Sequence, residues 1–145
     1  MKKNKIIILV ITLILLLGGI FIWNKLKSES LTTPEGTLDA YLTEVQQRPY
    51  SFEKAINYVD DTVLDDEFLQ SIKEESNDIN APTYNSFNLS EQFIDPSNEE
   101  ASIEVEFIYD NGYTSNNTFN LKKINDHWKI DLQNVQEEYF SLIDD

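Results

Sequence analysis

The spacing of apolar residues changes twice along the chain, and each change marks a new kind of structure. From Ile6 to Trp23 the residues form an uncharged, almost wholly apolar run of 18. At about 1.5 Å per residue such a helix spans roughly 27 Å, close to the hydrocarbon thickness of a bilayer. From Thr33 the apolar positions recur at helical spacing. Leu38, Tyr41, Leu42 and Val45 make one stripe, with Thr33 placed to cap the helix and Pro34 at its first position. That helix is expected to end near Arg48-Pro49. Ser51 is placed to cap a second helix over "FEKAINYV". A third, "DDTVLDDEFLQSIKEES", sets Val63 or Leu64 with Phe68, Leu69 and Ile72 on one side and its acids in the first turns, where the helix dipole favours them.

From Thr83 the period shortens to two. Phe87, Leu89 and Phe93 alternate with polar residues, "DPSNEE" turns the chain, and Ile103, Val105, Phe107 and Tyr109 line one face of the next strand. The following hairpin has two possible registers. A two-residue loop at Asn111-Gly112 would put Phe119 and Leu121 on the wrong face. A three-residue loop, Asp110 to Gly112 with Gly112 left-handed, pairs Val105 with Asn117 and Ile103 with Phe119 and keeps the large apolar residues together. The last hairpin turns at Asn125-Asp126, pairing Leu121 with Ile130 and Lys123 with Trp128. Helices followed by antiparallel strands predict an α+β protein. It has an N-terminal transmembrane helix, then a curved sheet of about four strands packed against two or three N-terminal helices. The expected division is an anchor at 1–27, a linker at 28–32, the α+β domain at 33–133 and an acidic, partly apolar C-terminal tail at 134–145 that either docks as a helix or stays mobile.

Charge adds topology. Lys2, Lys3 and Lys5 precede the apolar run, while Lys25 and Lys27 behind it are offset by Glu29. The positive-inside rule then puts the N-terminus in the cytoplasm and the domain outside the cell membrane. The run is longer than the apolar core of a cleaved signal, and Trp23 is an interfacial anchor type, which favours an uncleaved single-pass protein over a cleaved, secreted one. The first 30 residues hold five lysines and one glutamate, so residues 31–145 carry a net −19 against −15 for the whole chain. Such a surface excludes nucleic acid as a partner, because phosphates need clustered Lys and Arg. With no cysteine in the chain, disulfides, thiolate catalysis, Cys-based metal sites and a lipid-modified N-terminal cysteine are also excluded.

Two stretches carry a family likeness. "TPEGTLDAYLTEVQQRPYSFEKAINYV" and "LKKINDHWKI" together resemble the opening helix and closing hairpin of nuclear-transport-factor-2-like (cystatin-like, cone-shaped) domains of small bacterial membrane-anchored or lipoprotein accessory proteins. The likeness spans about residues 32 to 133. Where the family's closing turn commonly has Gly, Asn125-Asp126 stand here, and both residues tolerate the left-handed conformation such a turn needs. The resemblance implies an extracytoplasmic binding or accessory domain of the cell envelope, with an envelope protein as the prospective partner. It also keeps open a small pocket isomerase or hydrolase on the same fold, or a subunit of a larger envelope complex.

Candidate chemistry is sparse. His127, the single histidine, is expected beside a turn on the face opposite Trp128, which makes it a surface residue and not a general base. The cluster Asp60, Asp61, Asp65, Asp66 and Glu67 lacks the alternating acids and central Gly of a calcium loop and reads as helix capping. No catalytic residue, metal ligand or cofactor motif is assigned, and the chain is read as a non-enzyme. Tyr41, Tyr58, Phe107, Phe119 and Trp128 are the candidates to line a ligand pocket between helix and sheet, against the plainer alternative that they fill the core.

Overall fold

A computed structural model describes residues 31–143. The anchor expected at 1–27 and most of the linker lie outside these residues. No helix among the described residues is long and apolar enough to cross a membrane. From Leu31 onward the chain forms one compact unit.

The order is helical, then a sheet, then a helix. Helix α1 spans Pro34–Val45, α2 Phe52–Ala55 and α3 Asp66–Ser76, with single 3₁₀ turns at Ile56–Tyr58 and Asp61–Val63 between α2 and α3. Strands β1 Ser86–Ile94, β2 Glu100–Ile108, β3 Thr114–Ile124 and β4 His127–Asp131 form an antiparallel sheet in that order, and α4 covers Gln133–Ile143. The fold class is α+β.

Local chemistry explains the helix starts. Thr33 Oγ1 accepts from Gly36 N at 3.1 Å and Ser51 Oγ from Lys54 N at 3.3 Å, each filling a donor that the first turn leaves open. Helix α1 stops at Val45, short of the expected Arg48-Pro49. Its last carbonyls are taken by groups distant in sequence, since Tyr84 Oη donates to Leu42 O at 2.5 Å and Thr83 Oγ1 to Gln46 O at 2.5 Å. The third expected helix is interrupted as well. Asp60 Oδ1 accepts from Thr62 Oγ1 and Thr62 N, which winds residues 61–63 into a 3₁₀ turn and leaves Val63 at the surface while Leu64 enters the core.

The hairpins have the predicted registers. Val105 pairs with Asn117 and Ile103 with Phe119, across a loop in which Gly112 has φ of 77°. Leu121 pairs with Ile130, Lys123 with Trp128 and Ile124 with His127, and Asn125 and Asp126 both take positive φ (50° and 64°), the backbone of a tight two-residue turn. Strand β1 departs from expectation. Leu89 pairs with Val105 but Gln92 with Ile103, so one residue is extra on β1. A bulge of this kind reverses the parity of every residue beyond it. Phe93, expected beside Phe87 and Leu89, therefore pairs with Ser102 on the other face and is 66% exposed.

One face of the sheet carries the core. Leu38 and Leu42 of α1, Leu64 and Phe68 pack against Ile103, Val105, Phe107, Leu121, Trp128 and Ile130, all buried. Of the two forms expected for the acidic segment 134–145, the structure shows the docked helix. Most of it belongs to α4, whose Tyr139 lies 5.5 Å ring to ring from Phe68, and whose Gln136 Oε1 accepts from Asp65 N at 2.7 Å. The helix is amphipathic, and Tyr139 and Phe140 pack against the core.

The sheet continues past β4 by a single residue. Val59 makes a parallel bridge to Ile130, and Asp60 N donates to Ile130 O at 2.9 Å. Strand alternation turns Val59 into the core and Asp60 to the opposite face, where Lys122 Nζ meets its carboxylate at 2.8 Å and that of Asp131 at 3.4 Å. Burial would raise the Asp60 pKa, but hydrogen bonds from Lys122 and Thr62, with the charge of Lys122, outweigh it and hold the carboxyl below its ordinary value. The acidic cluster seen in the sequence thus supplies one leg of an ion pair, and among the described residues no group of three acids or histidines is arranged to hold a metal ion.

Two predictions follow from this architecture. Trp128→Ala removes a side chain only 2% exposed and should cost about 3–5 kcal/mol in urea unfolding, whereas His127→Gln at the exposed turn should change stability by less than about 0.5 kcal/mol. Because Asp60's folded pKa is depressed, its contribution is full above the carboxylate's ordinary pKa, about 4, and is lost as pH falls below that through the folded value. Unfolding midpoints between about pH 6 and 3 should therefore fall less steeply for Asp60→Asn than for the wild type, from a lower starting stability.

Candidate functional site

The ends of α1 and α3 are tied by Arg48. Its guanidinium donates to the Glu75 backbone carbonyl at 3.0 Å and to Glu75 Oε1 at 2.9 Å, while Tyr50 N donates to Ser76 O at 3.1 Å. The last turn of α3 thus finds its carbonyl partners in the loop after α1. Arg48 also lies over the Tyr50 ring, with its central carbon 4.9 Å from the centroid. Its side chain is largely shielded, and Arg48 Nε is a buried donor with no partner among the described residues.

Beside this tie lies a cavity of about 500 Å³. Helix α1 contributes Tyr41, Leu42 and Val45, α3 contributes Phe68, Ser71, Ile72 and Glu75, the sheet contributes Phe107, Asn117 and Phe119, and α4 adds Val135 and Tyr139. Arg48, Tyr50, Tyr84 and Leu132 complete the wall. Its volume falls within the range of about 300 to 1,000 Å³ usual for small-molecule sites. Ring contacts run along its sheet side: Tyr84, just ahead of β1, sits 4.7 Å from Phe107, and Phe107 6.2 Å from Phe119. Both pairs take tilted or edge-on arrangements, which aromatic rings prefer.

The wall has a polar end and an apolar remainder. Tyr41, Tyr50 and Tyr84 gather near Arg48 and Glu75, and the Tyr41 hydroxyl makes no hydrogen bond with the described residues. Burial, first, and the neighbouring phenols push the Tyr41 pKa up, against the pull of Arg48. Burial likewise raises Tyr84 and Tyr50. All three remain protonated well above neutrality, so they offer neutral hydroxyls and not bases. The lining holds no histidine. Its one serine, Ser71, donates its hydroxyl to Phe68 O at 2.7 Å.

Of the five residues proposed from sequence to line a pocket, the structure brings Tyr41, Phe107 and Phe119 together in this wall. Trp128 is sealed in the core, under Thr37, whose hydroxyl is 3.4 Å from the Trp128 carbonyl, and Tyr58 is half-buried against the core on the 3₁₀ turn; neither lines the cavity. Sequence reasoning missed Arg48, Tyr50, Glu75 and Tyr84. The available signal was the composition of "RPY", one of few cationic positions in an acidic domain, followed at once by an aromatic residue.

No family model matches the chain, and no curated protein matches it. Among solved structures, the fold is similar to a Campylobacter jejuni protein provisionally named an NTF2-like transpeptidase, at 14% identity and a TM-score of 0.50, over 70% of this chain and 100% of that one.

The raised phenols make a pH prediction. A folded state that keeps phenol protons which the unfolded chain releases near pH 10 is most stable below that pH and loses stability as pH rises through it. Urea midpoints measured from about pH 8 to 11 should fall, and Tyr41→Phe should make the fall shallower. The fold described above is NTF2-like.

Proposed function

We propose that this protein is a membrane-tethered, extracytoplasmic binding domain of the bacterial cell envelope that takes a small molecule in the cavity beside Arg48. The observation that carries the reading is the cavity itself, a space of about 500 Å³ walled by α1, α3, the sheet and α4 and lined mostly by aromatic and aliphatic groups. Sites of this kind bind through apolar area and take orientation from a few polar groups. The tether rests on the 18-residue apolar run, its lysine-rich leading side and the acidic remainder.

The name of the Campylobacter jejuni protein raises acyl transfer as a possibility for the fold. The wall here supports it poorly: no cysteine exists in the chain, no histidine lines the cavity, and the Ser71 hydroxyl is engaged with a backbone carbonyl. A nucleophile needs an adjacent base or a lowered pKa. A second reading, a pocket isomerase or hydrolase, is favoured by one observation, the protonated Tyr41 beside the carboxylate of Glu75.

Topology is testable because the chain lacks cysteine. Glu137→Cys, exposed on α4, should react with a membrane-impermeant maleimide in osmotically stabilised spheroplasts. Labelling only after lysis would place the domain in the cytoplasm and end the extracytoplasmic reading.

A further inference from the structure

We infer that the open edge of the sheet takes an added strand. An extended, cationic segment of a partner protein pairs along β1 and sends a Lys or Arg side chain into the groove between β1 and α1, toward Glu35 and Asp39. This site shares no residue with the cavity beside Arg48 and stands apart from the small-molecule reading.

The two edges of the sheet differ. At β4, Asp60 N donates to Ile130 O at 2.9 Å and Trp128 N to Leu31 O at 2.9 Å, so that edge is covered. Among the described residues, β1 pairs with β2 and with no other strand. Every second residue of such a strand turns its N–H and C=O away from the sheet, where an incoming strand can take them. Natural edges are often blunted by Lys or Pro, and "SFNLSEQFI" has neither. Past the bulge, Phe93 and Ile94 lie exposed on opposite faces of β1, so an added strand meets apolar surface on both sides.

The bulge lies beside a receiving groove. A space of about 370 Å³ separates Glu35, Gly36 and Asp39 of α1 from Leu89, Ser90 and Gln92 of β1, over the buried Ile103. Glu35 and Asp39 stand about one turn apart on the same side of the helix. Both are exposed, and neither has an ion-pair partner among the described residues. A Lys or Arg side chain fits both parts of the groove, with its stem along Leu89 and its head at the two carboxylates.

Charge selects the occupant. Residues 31–145 carry a net −19, a field that draws a cationic segment and repels an acidic one. A second copy of the chain is disfavoured twice. It brings the same charge, and the bend that a bulge puts into an edge strand opposes pairing of that strand with its own copy.

The probe is a rhodamine-labelled, amidated heptapeptide with threonine at odd positions, valine at the second and sixth, and lysine at the centre. Fluorescence anisotropy reads its binding to the full chain in nanodiscs of zwitterionic lipid, with empty nanodiscs as the blank. The lysine peptide should bind about fivefold more tightly than its counterpart with central norleucine, the upper end for an exposed charge pair, and a central glutamate should bind more weakly still. Glu35→Gln combined with Asp39→Asn should erase the lysine advantage while leaving norleucine binding and the circular dichroism spectrum unchanged. N-methylation of the odd or of the even residues, in two further peptides, should abolish binding in one and spare it in the other, because only alternate N–H groups of an added strand face β1. Equal binding of the lysine and norleucine peptides, or tightest binding of the glutamate peptide, would overturn the cationic assignment. Any methylation result other than one lost and one kept would overturn strand addition. Binding of none of the peptides would overturn the inference, and a dimer seen by sedimentation in detergent would then give the edge to a second copy.

Discussion

Beyond the packing of α1 on the sheet, one short seam extends the sheet itself into the helical half, where Val59 and Asp60 run alongside β4. The Asp60 N to Ile130 O hydrogen bond continues the sheet by one residue, and alternation sends Val59 into the core and Asp60 to Lys122 on the far side. An exposed ion pair would be worth little, but Asp60 is only 5% exposed, so removing its partner would leave a buried carboxylate uncompensated. The pair therefore specifies this register more than it adds net stability. Shifting the segment by one residue would bury Asp60 and expel Val59.

The rest of the architecture is placed by that seam. Residues 52–64 are pinned between α1 and β4, α3 follows immediately, and its C-terminal carbonyls come within reach of Arg48 and Tyr50. Tyr84 reaches back across the sheet to the end of α1. Helix ends that lack capping residues of their own are thus closed by tertiary partners, and those same partners furnish the polar end of the cavity. Structure and candidate site share atoms here. The Arg48 guanidinium that closes α3 is also the group whose charge is cancelled by Glu75, which makes the wall neutral.

Some elements were legible because local rules are strong. Thr33 and Pro34 begin a helix for reasons contained in those two residues, and the hairpin registers followed from parity together with Gly112 and Asn125-Asp126. Phe93 shows where parity fails. A bulge of one residue leaves no unambiguous mark in "NLSEQF", yet it inverts everything beyond it. The segment 134–145 shows another limit: its composition left a docked helix and a mobile tail both open, and the Phe68 to Tyr139 contact that makes it a packed helix joins residues far apart in sequence.

What the sequence alone determined was the α+β class, the strand registers of both later hairpins, the acidic balance of the domain and the lack of cysteine. These depend on period, turn residues and counts, all of which are local or additive. Only the tertiary structure decided which aromatics line a cavity and which are sealed in the core. Tyr41 and Trp128 carry similar signals along the chain, but helix α1 exposes one to the gap beside Arg48 while Leu31, Thr37 and Lys123 close around the other. Cavities arise where packing is incomplete between distant segments, and no local pattern encodes incompleteness.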